Sequence, residues 1–210
     1  ARKPEHYTLR GLQGEKLTKR VLGEMHIAPT AWDRVLAGEP LRPDDMTTDR
    51  GFYGASIDFV LALPDAAGLA VWNSYPPQHW YRWGNPEAEV LGVLAKWGAA
   101  AMPGFVRFVQ ARPDEGLGIA EIVDSPGIAP TALHALRNLK KAKSVALEWL
   151  RAHAATACAV AMPMAFGPDK NTRDDAAFGL RWLVNNGFED VAKQAAASYG
   201  PQAAAAFQAL

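Results

Sequence analysis

Three stretches of this chain repeat one arrangement: Leu91-x-x-Leu94-x-x-x-Gly98, Leu136-x-x-Leu139-x-x-x-Lys143 and Leu180-x-x-Leu183-x-x-x-Gly187, with leading leucines 45 and then 44 residues apart. Leucines three apart share a helix face, and a glycine four residues further on suits the backbone that closes a helix. In each copy one amphipathic helix is expected to end and another to begin. A chain built this way is constrained to stack similar helical units on one another, because no single unit can bury its own apolar face.

A period in the low-to-middle forties is that of HEAT and armadillo arrays. The expectation is therefore an all-α fold, with residues 85–210 forming a HEAT/armadillo-like α-solenoid of about three units of two to three helices each. Asn85-Pro86-Glu87 supplies a capping side chain, a preset φ and an early acid, so a helix runs from about Pro86 to Trp97. Met102 to Ala111 and a short helix from Pro113 complete the first unit. The second is read as Ala129 to Leu139, Ala142 to His153 and Ala155 to Phe166. The third is Arg173 to Asn186, capped by Thr172, then Phe188 to Tyr199 and Pro201 to Leu210. Ala176, Leu180, Leu183 and Val184 make one stripe and Phe178 and Trp182 another, as on a helix held between two neighbours.

The first 84 residues carry less periodic signal. Residues 1–50 read as an irregular, partly helical segment with helices near Glu15 to Glu24 and Pro29 to Ala37, and Leu41 to Gly51 has the composition of a linker. Residues 51–84 read as a helical pair, about Gly54 to Leu63 and Asp65 to Asn73, followed by an aromatic loop; Ile57-Asp58-Phe59 is an alternative strand start.

Composition narrows function mainly by exclusion. Of 210 residues 49% are apolar, enough for a substantial core, and 22 basic residues balance 22 acidic ones. Zero net charge supplies no overall field for polyphosphate or anionic lipid, so electrostatic binding has to be local. The single cysteine, Cys158, lies in an apolar run and is expected to be a buried, inert thiol. No apolar stretch is long enough to span a bilayer. A cytoplasmic protein with no membrane association is expected. The alanine-rich end, where Phe207 and Leu210 are the larger apolar groups, is read as an uncapped array end of a longer protein, open to self-association.

Two clusters stand out as candidate interaction surfaces. Tyr75-Pro76-Pro77-Gln78-His79-Trp80-Tyr81-Arg82-Trp83 concentrates rigid prolines and rings. Trp80, Tyr81 and Trp83 suit a platform for a peptide or a stacked base, while the plainer reading is a loop that buries its own rings. Arg137, Lys140, Lys141 and Lys143 fall in a stretch without an acid, suited to phosphate contacts or, more simply, to offsetting the negative end of a helix dipole.

Catalytic signatures are weak. Of the adjacent acids Asp44-Asp45, Asp114-Glu115, Asp174-Asp175 and Glu189-Asp190, three pairs fall where a helix is expected to start, which the dipole explains. His6, His26, His79, His134 and His153 show no compact ligand spacing, and Gly54-Ala-Ser56-Ile-Asp58 lacks the second glycine of a nucleophile elbow. No enzyme, metal or cofactor is expected. The leading reading is a scaffold that binds a protein partner or other domains of its own longer chain; the alternative is a nucleic-acid-associated module using residues 137–143.

Phe59-Val-Leu-Ala-Leu-Pro-Asp-Ala-Ala-Gly-Leu-Ala-Val-Trp-Asn73, Ala135-Leu-Arg-Asn-Leu-Lys-Lys-Ala, Trp149-Leu-Arg-Ala-His153 and Leu180-Arg-Trp-Leu-Val-Asn-Asn-Gly-Phe188 through Ala197-Ser-Tyr-Gly200 resemble the bacterial MolR/YehI-like family over about Ser56 to Leu210. The resemblance implies a HEAT-like fragment of a larger cytosolic protein. Some members carry a WGR domain associated with nucleic-acid-linked proteins, and one bears a name tied to molybdate regulation; neither property attaches to a residue here.

Overall fold

A computed structural model describes residues 14–47, 54–80 and 85–209. The described residues are helical, with no strand among them and two isolated β-bridges, Ile27 with Met46 and Ala55 with Trp80. The α-helices are α1 Gly14–Glu24, α2 Trp32–Leu36, α3 Asp58–Leu61, α4 Asp65–Ser74, α5 Pro86–Trp97, α6 Met102–Ala111, α7 Pro113–Ile119, α8 Ala129–Asn138, α9 Lys143–Ala152, α10 Ala154–Met164, α11 Lys170–Leu183, α12 Glu189–Ser198 and α13 Pro201–Gln208. They form two compact units, Ala1–Arg107 and Phe108–Leu210, divided inside α6. The divisions expected near residues 50 and 84 both fall inside the first unit.

In the first unit Val21, Leu22, Met25, Val35, Val71, Trp72, Tyr75, Val90 and Val93 are buried. Tyr75 donates its hydroxyl to the Met25 carbonyl at 3.0 Å, which places a polar tip in that core without leaving it unpaired. The end of α4 is clasped onto the start of α6. Trp72 Nε1 donates to Ala101 O at 2.8 Å, the Asn73 side chain accepts from Gly104 N at 2.8 Å, and Arg107 Nη1 donates to Asn73 O at 2.6 Å. These bonds supply partners that helix ends lack. Glycine is required at 104, since a Cβ there would stand 2.5 Å from Trp72 Nε1.

The expected helix over Gly54 to Leu63 shortens to the single turn of α3. Ala55 instead bridges to Trp80, and the alternative strand start at Ile57 is helical cap and turn. Within the expected linker, Pro43–Asp45 forms a 3-10 turn. Asp45 is buried there and accepts from Arg42 N at 2.7 Å and from Arg34 Nη2 at 2.7 and 2.8 Å.

In the second unit α8 packs against α9, α10 and α11, while α10 packs against α11 and α12. The two-sided apolar pattern of α11 is accounted for in this way: Ala176, Leu180 and Leu183 are buried, and Trp182 is half-buried with the Arg151 guanidinium 5.3 Å from its ring centre. Leu136 and Leu180 are buried in the second unit, whereas Leu91 of the first unit is half-buried beside buried Val90 and Val93. Asp169, not Thr172, caps α11, accepting from Thr172 N at 2.7 Å; the carboxylate three residues ahead outreaches the hydroxyl, and the helix begins at Lys170. Between α11 and α12 the chain turns at Gly187, whose φ of 93° favours glycine. Inside α10, Pro163 has no N–H to offer the carbonyl four residues back, Ala159 O. Tyr199 fills that vacancy, its hydroxyl donating to Ala159 O at 2.9 Å.

Candidate functional site

The densest polar cluster of the second unit joins α8 to α11. Gly179 lets the two helices approach, since a Cβ there would run into Leu133 Cδ2. One turn back along α11, that approach brings Asp175 against the exposed flank of α8, where His134, Arg137 and Asn138 share one face through i, i+3 and i+4 spacing. Asp175 Oδ2 lies 2.7 Å from His134 Nδ1, and Oδ1 accepts from Arg137 Nη1 at 3.0 Å and from Asn138 Nδ2 at 2.8 Å. Arg137 also reaches Asp174 Oδ2 at 3.5 Å.

The Asn138 amide nitrogen also lies 3.1 Å from His134 Nδ1 and 3.2 Å from the His134 carbonyl. A carboxylate oxygen only accepts, so the 2.7 Å contact assigns a hydrogen to His134 Nδ1, donated to Asp175 Oδ2. That leaves Nε2 as the unpaired edge of an imidazole whose side chain is 52% exposed, held by a carboxylate whose side chain is 8% exposed. A histidine fixed this way has a defined tautomer and orientation, so its free nitrogen presents a lone pair, or a proton, in one direction.

His134 and Asp175 line a recess of about 420 Å³ together with Gln110, Pro113, Pro130, Thr131, Leu139, Met164, Asn171 and Thr172. A second recess of about 310 Å³ is lined by Pro113, Asp114, Asn138, Leu139, Lys140, Lys141 and Ala142. Pro113 and Leu139 belong to both, so the two run on from one another beside α8.

The sequence-predicted surface residues part company here. Trp80 is 2% exposed, its ring 4.3 Å from that of Tyr75 and 5.9 Å from that of Trp72, so it is core and offers no stacking face. Its loop buries this ring in the first unit's own core. Tyr81 and Trp83 lie outside the described residues. Arg137 stands in the last turn of α8, as the dipole reading expects, and its guanidinium is held by the carboxylates of α11. Lys143 opens α9, where a cation meets the positive end of a dipole. Lys140, Lys141 and Lys143 are exposed, and none has an ion-pair or hydrogen-bond partner among the described residues.

The acid pairs also divide. Asp114-Glu115 and Glu189-Asp190 stand in first turns as expected. Asp174-Asp175 do not: α11 starts at Lys170, which puts them in its second turn, and the dipole gives no account of a buried Asp175. His134, Asn138, Asp175 and Thr172 were missed as site residues. The available signal was His134-x-x-Arg137-Asn138, a single helix face of donors waiting for an acceptor.

Cys158 is fully buried and its thiol is pushed up to about 11 by that burial. Among the described residues no helix is long and apolar enough to cross a membrane. No protein-family profile matches the chain, and no curated protein or solved structure is similar to it at a significant level.

Proposed function

We propose that this chain is a non-catalytic helical-repeat scaffold, a HEAT-like interaction segment of a larger cytosolic bacterial protein of the MolR/YehI-like kind its sequence resembles. The observation that carries the reading is the packing of α8 against α11, the leading helices of two consecutive sequence copies, with α10 set against both helices that begin the next copy. Stacking of like helices is how repeat arrays build an extended binding face. The test is affinity capture with the whole chain as bait, followed by reconstitution from purified components. A protein bound at fixed stoichiometry is expected. Failure of every captured protein to bind once purified overturns the reading.

The unpaired lysines favour one second reading, a nucleic-acid-associated module using the region around Lys140, Lys141 and Lys143. It requires an oligonucleotide to bind at low salt, with an affinity that falls steeply as salt rises and a slope that shrinks when these lysines are neutralised.

A further inference from the structure

The continuous groove beside α8 has three chemically distinct parts. At one end Asp175 fixes His134 so that only Nε2 is free to meet a ligand, with Thr131 and Thr172 in the same recess. Between the ends lie Pro113 and Leu139, shared by both recesses, and Pro130 and Met164 add apolar lining on the His134 side. At the other end Lys140 and Lys141 stand unpaired against a single carboxylate, Asp114, and unpaired Lys143 lies just beyond. Thr131 and Asn138 are seven residues apart on α8, roughly 10 Å at the helical rise, which is the reach of about three extended residues before the lysine recess begins.

We infer that this groove receives an extended acidic segment of a partner protein, its carboxylates at Lys140 and Lys141 and a hydroxyl or amide donor at His134 Nε2. The inference rests on the scaffold reading and specifies which part of the surface does the binding. Charge complementarity selects the occupant. Lys140 and Lys141, the lysines that line the groove, stand at one end only, and Arg137 nearby on α8 is already held by Asp174 and Asp175. A uniformly charged polyanion would have to run its remaining charges past the apolar residues and the Asp175 carboxylate of the other recess. An extended peptide presents side chains in alternation, so it meets lysines, apolar lining and imidazole with different groups.

Selection of a random octapeptide library on the immobilised full chain tests the proposal, beside a Lys140→Glu, Lys141→Glu variant and a His134→Phe variant. Lys140 and Lys141 are exposed and unpaired, so the double variant should melt as the native chain does, while the His134 variant, which loses its bond to Asp175, should melt a few degrees lower but as cooperatively, and each comparison is made below both melts. Selected peptides should be enriched in Asp and Glu, and a labelled winner should bind the double variant at least tenfold more weakly and the His134 variant several-fold more weakly. Absence of acidic enrichment, or equal binding by the double variant, overturns the inference. So does a labelled 20-nucleotide strand that binds through the same two lysines at low salt while acidic peptides do not. If acidic enrichment is absent yet a purified partner still binds the chain, the groove assignment fails alone and the scaffold reading stands.

Discussion

His134 and Asp175 lie 41 residues apart in sequence and 2.7 Å apart in space, and Asp175 is the acceptor on which three side chains of the facing helix converge. Removing the acceptor breaks three side-chain contacts at once, whereas removing any one donor leaves Asp175 two partners. Asp175→Ala should therefore destabilise the second unit by about 1.5–3 kcal/mol, and His134→Ala by under about 1 kcal/mol because its ring is half in water. Urea denaturation of the two variants checks the ordering; equal losses would contradict it.

The contact beneath that cluster should be intolerant of a methyl group. Gly179→Ala drives a Cβ into Leu133 and should cost about 1–3 kcal/mol. Leu133→Ala, by opening the space, should make the double variant more stable than the sum of the single losses predicts. A double-mutant cycle in urea measures the coupling, and strict additivity would show that the helices separate freely.

Acid should weaken the first unit through Asp45. Burial works to raise its pKa, but the Arg42 N–H and the Arg34 guanidinium prevail and hold the carboxyl below the usual range. A depressed folded-state pKa contributes stability that is present above the unfolded value, near 3.9, and lost as pH falls through the folded one. The stability gap between the native chain and Asp45→Asn should therefore be widest near neutrality and close as pH falls below about 4. A gap that is constant with pH would show that the pair contributes nothing through charge.

Cys158 should behave as a reporter of opening. With the thiol fully buried and raised to about 11, a thiol reagent at neutral pH should react only as fast as the second unit opens, and immediately in denaturant. Rapid stoichiometric labelling of the folded chain would contradict the described packing.

Helix starts were readable in the sequence wherever a proline or an Asn side chain announced them, as at Pro86, Pro113 and Pro201, because those signals are local and chemical. The start of α11 was misplaced by three residues because Asp169 and Thr172 both carry plausible capping groups and only geometry decides between them. The clustered polar site was not readable, since Asp175 resembles any first-turn acid until the helix start is known. At Trp80 the plainer reading of the aromatic run, a loop that buries its own rings, agrees with the structure, although a Pro-rich aromatic run looks alike in sequence whether it forms a platform or folds inward.

Pro163 and Tyr199 carry a consequence for how this sequence is free to drift. A proline at 163 with no hydroxyl at 199 leaves Ala159 O without a donor, whereas a tyrosine at 199 facing an ordinary residue at 163 finds that carbonyl already engaged by its own helix. The order of substitution is then asymmetric. Tyrosine is free to come first at little consequence; once proline follows, tyrosine is entrenched, and its loss becomes harmful although about half of the residue is exposed. Among descendants of this chain, sequences with Pro163 should keep a hydroxyl donor at 199, and those that revert Pro163 should lose Tyr199 freely, so that the history of one position is written in the other.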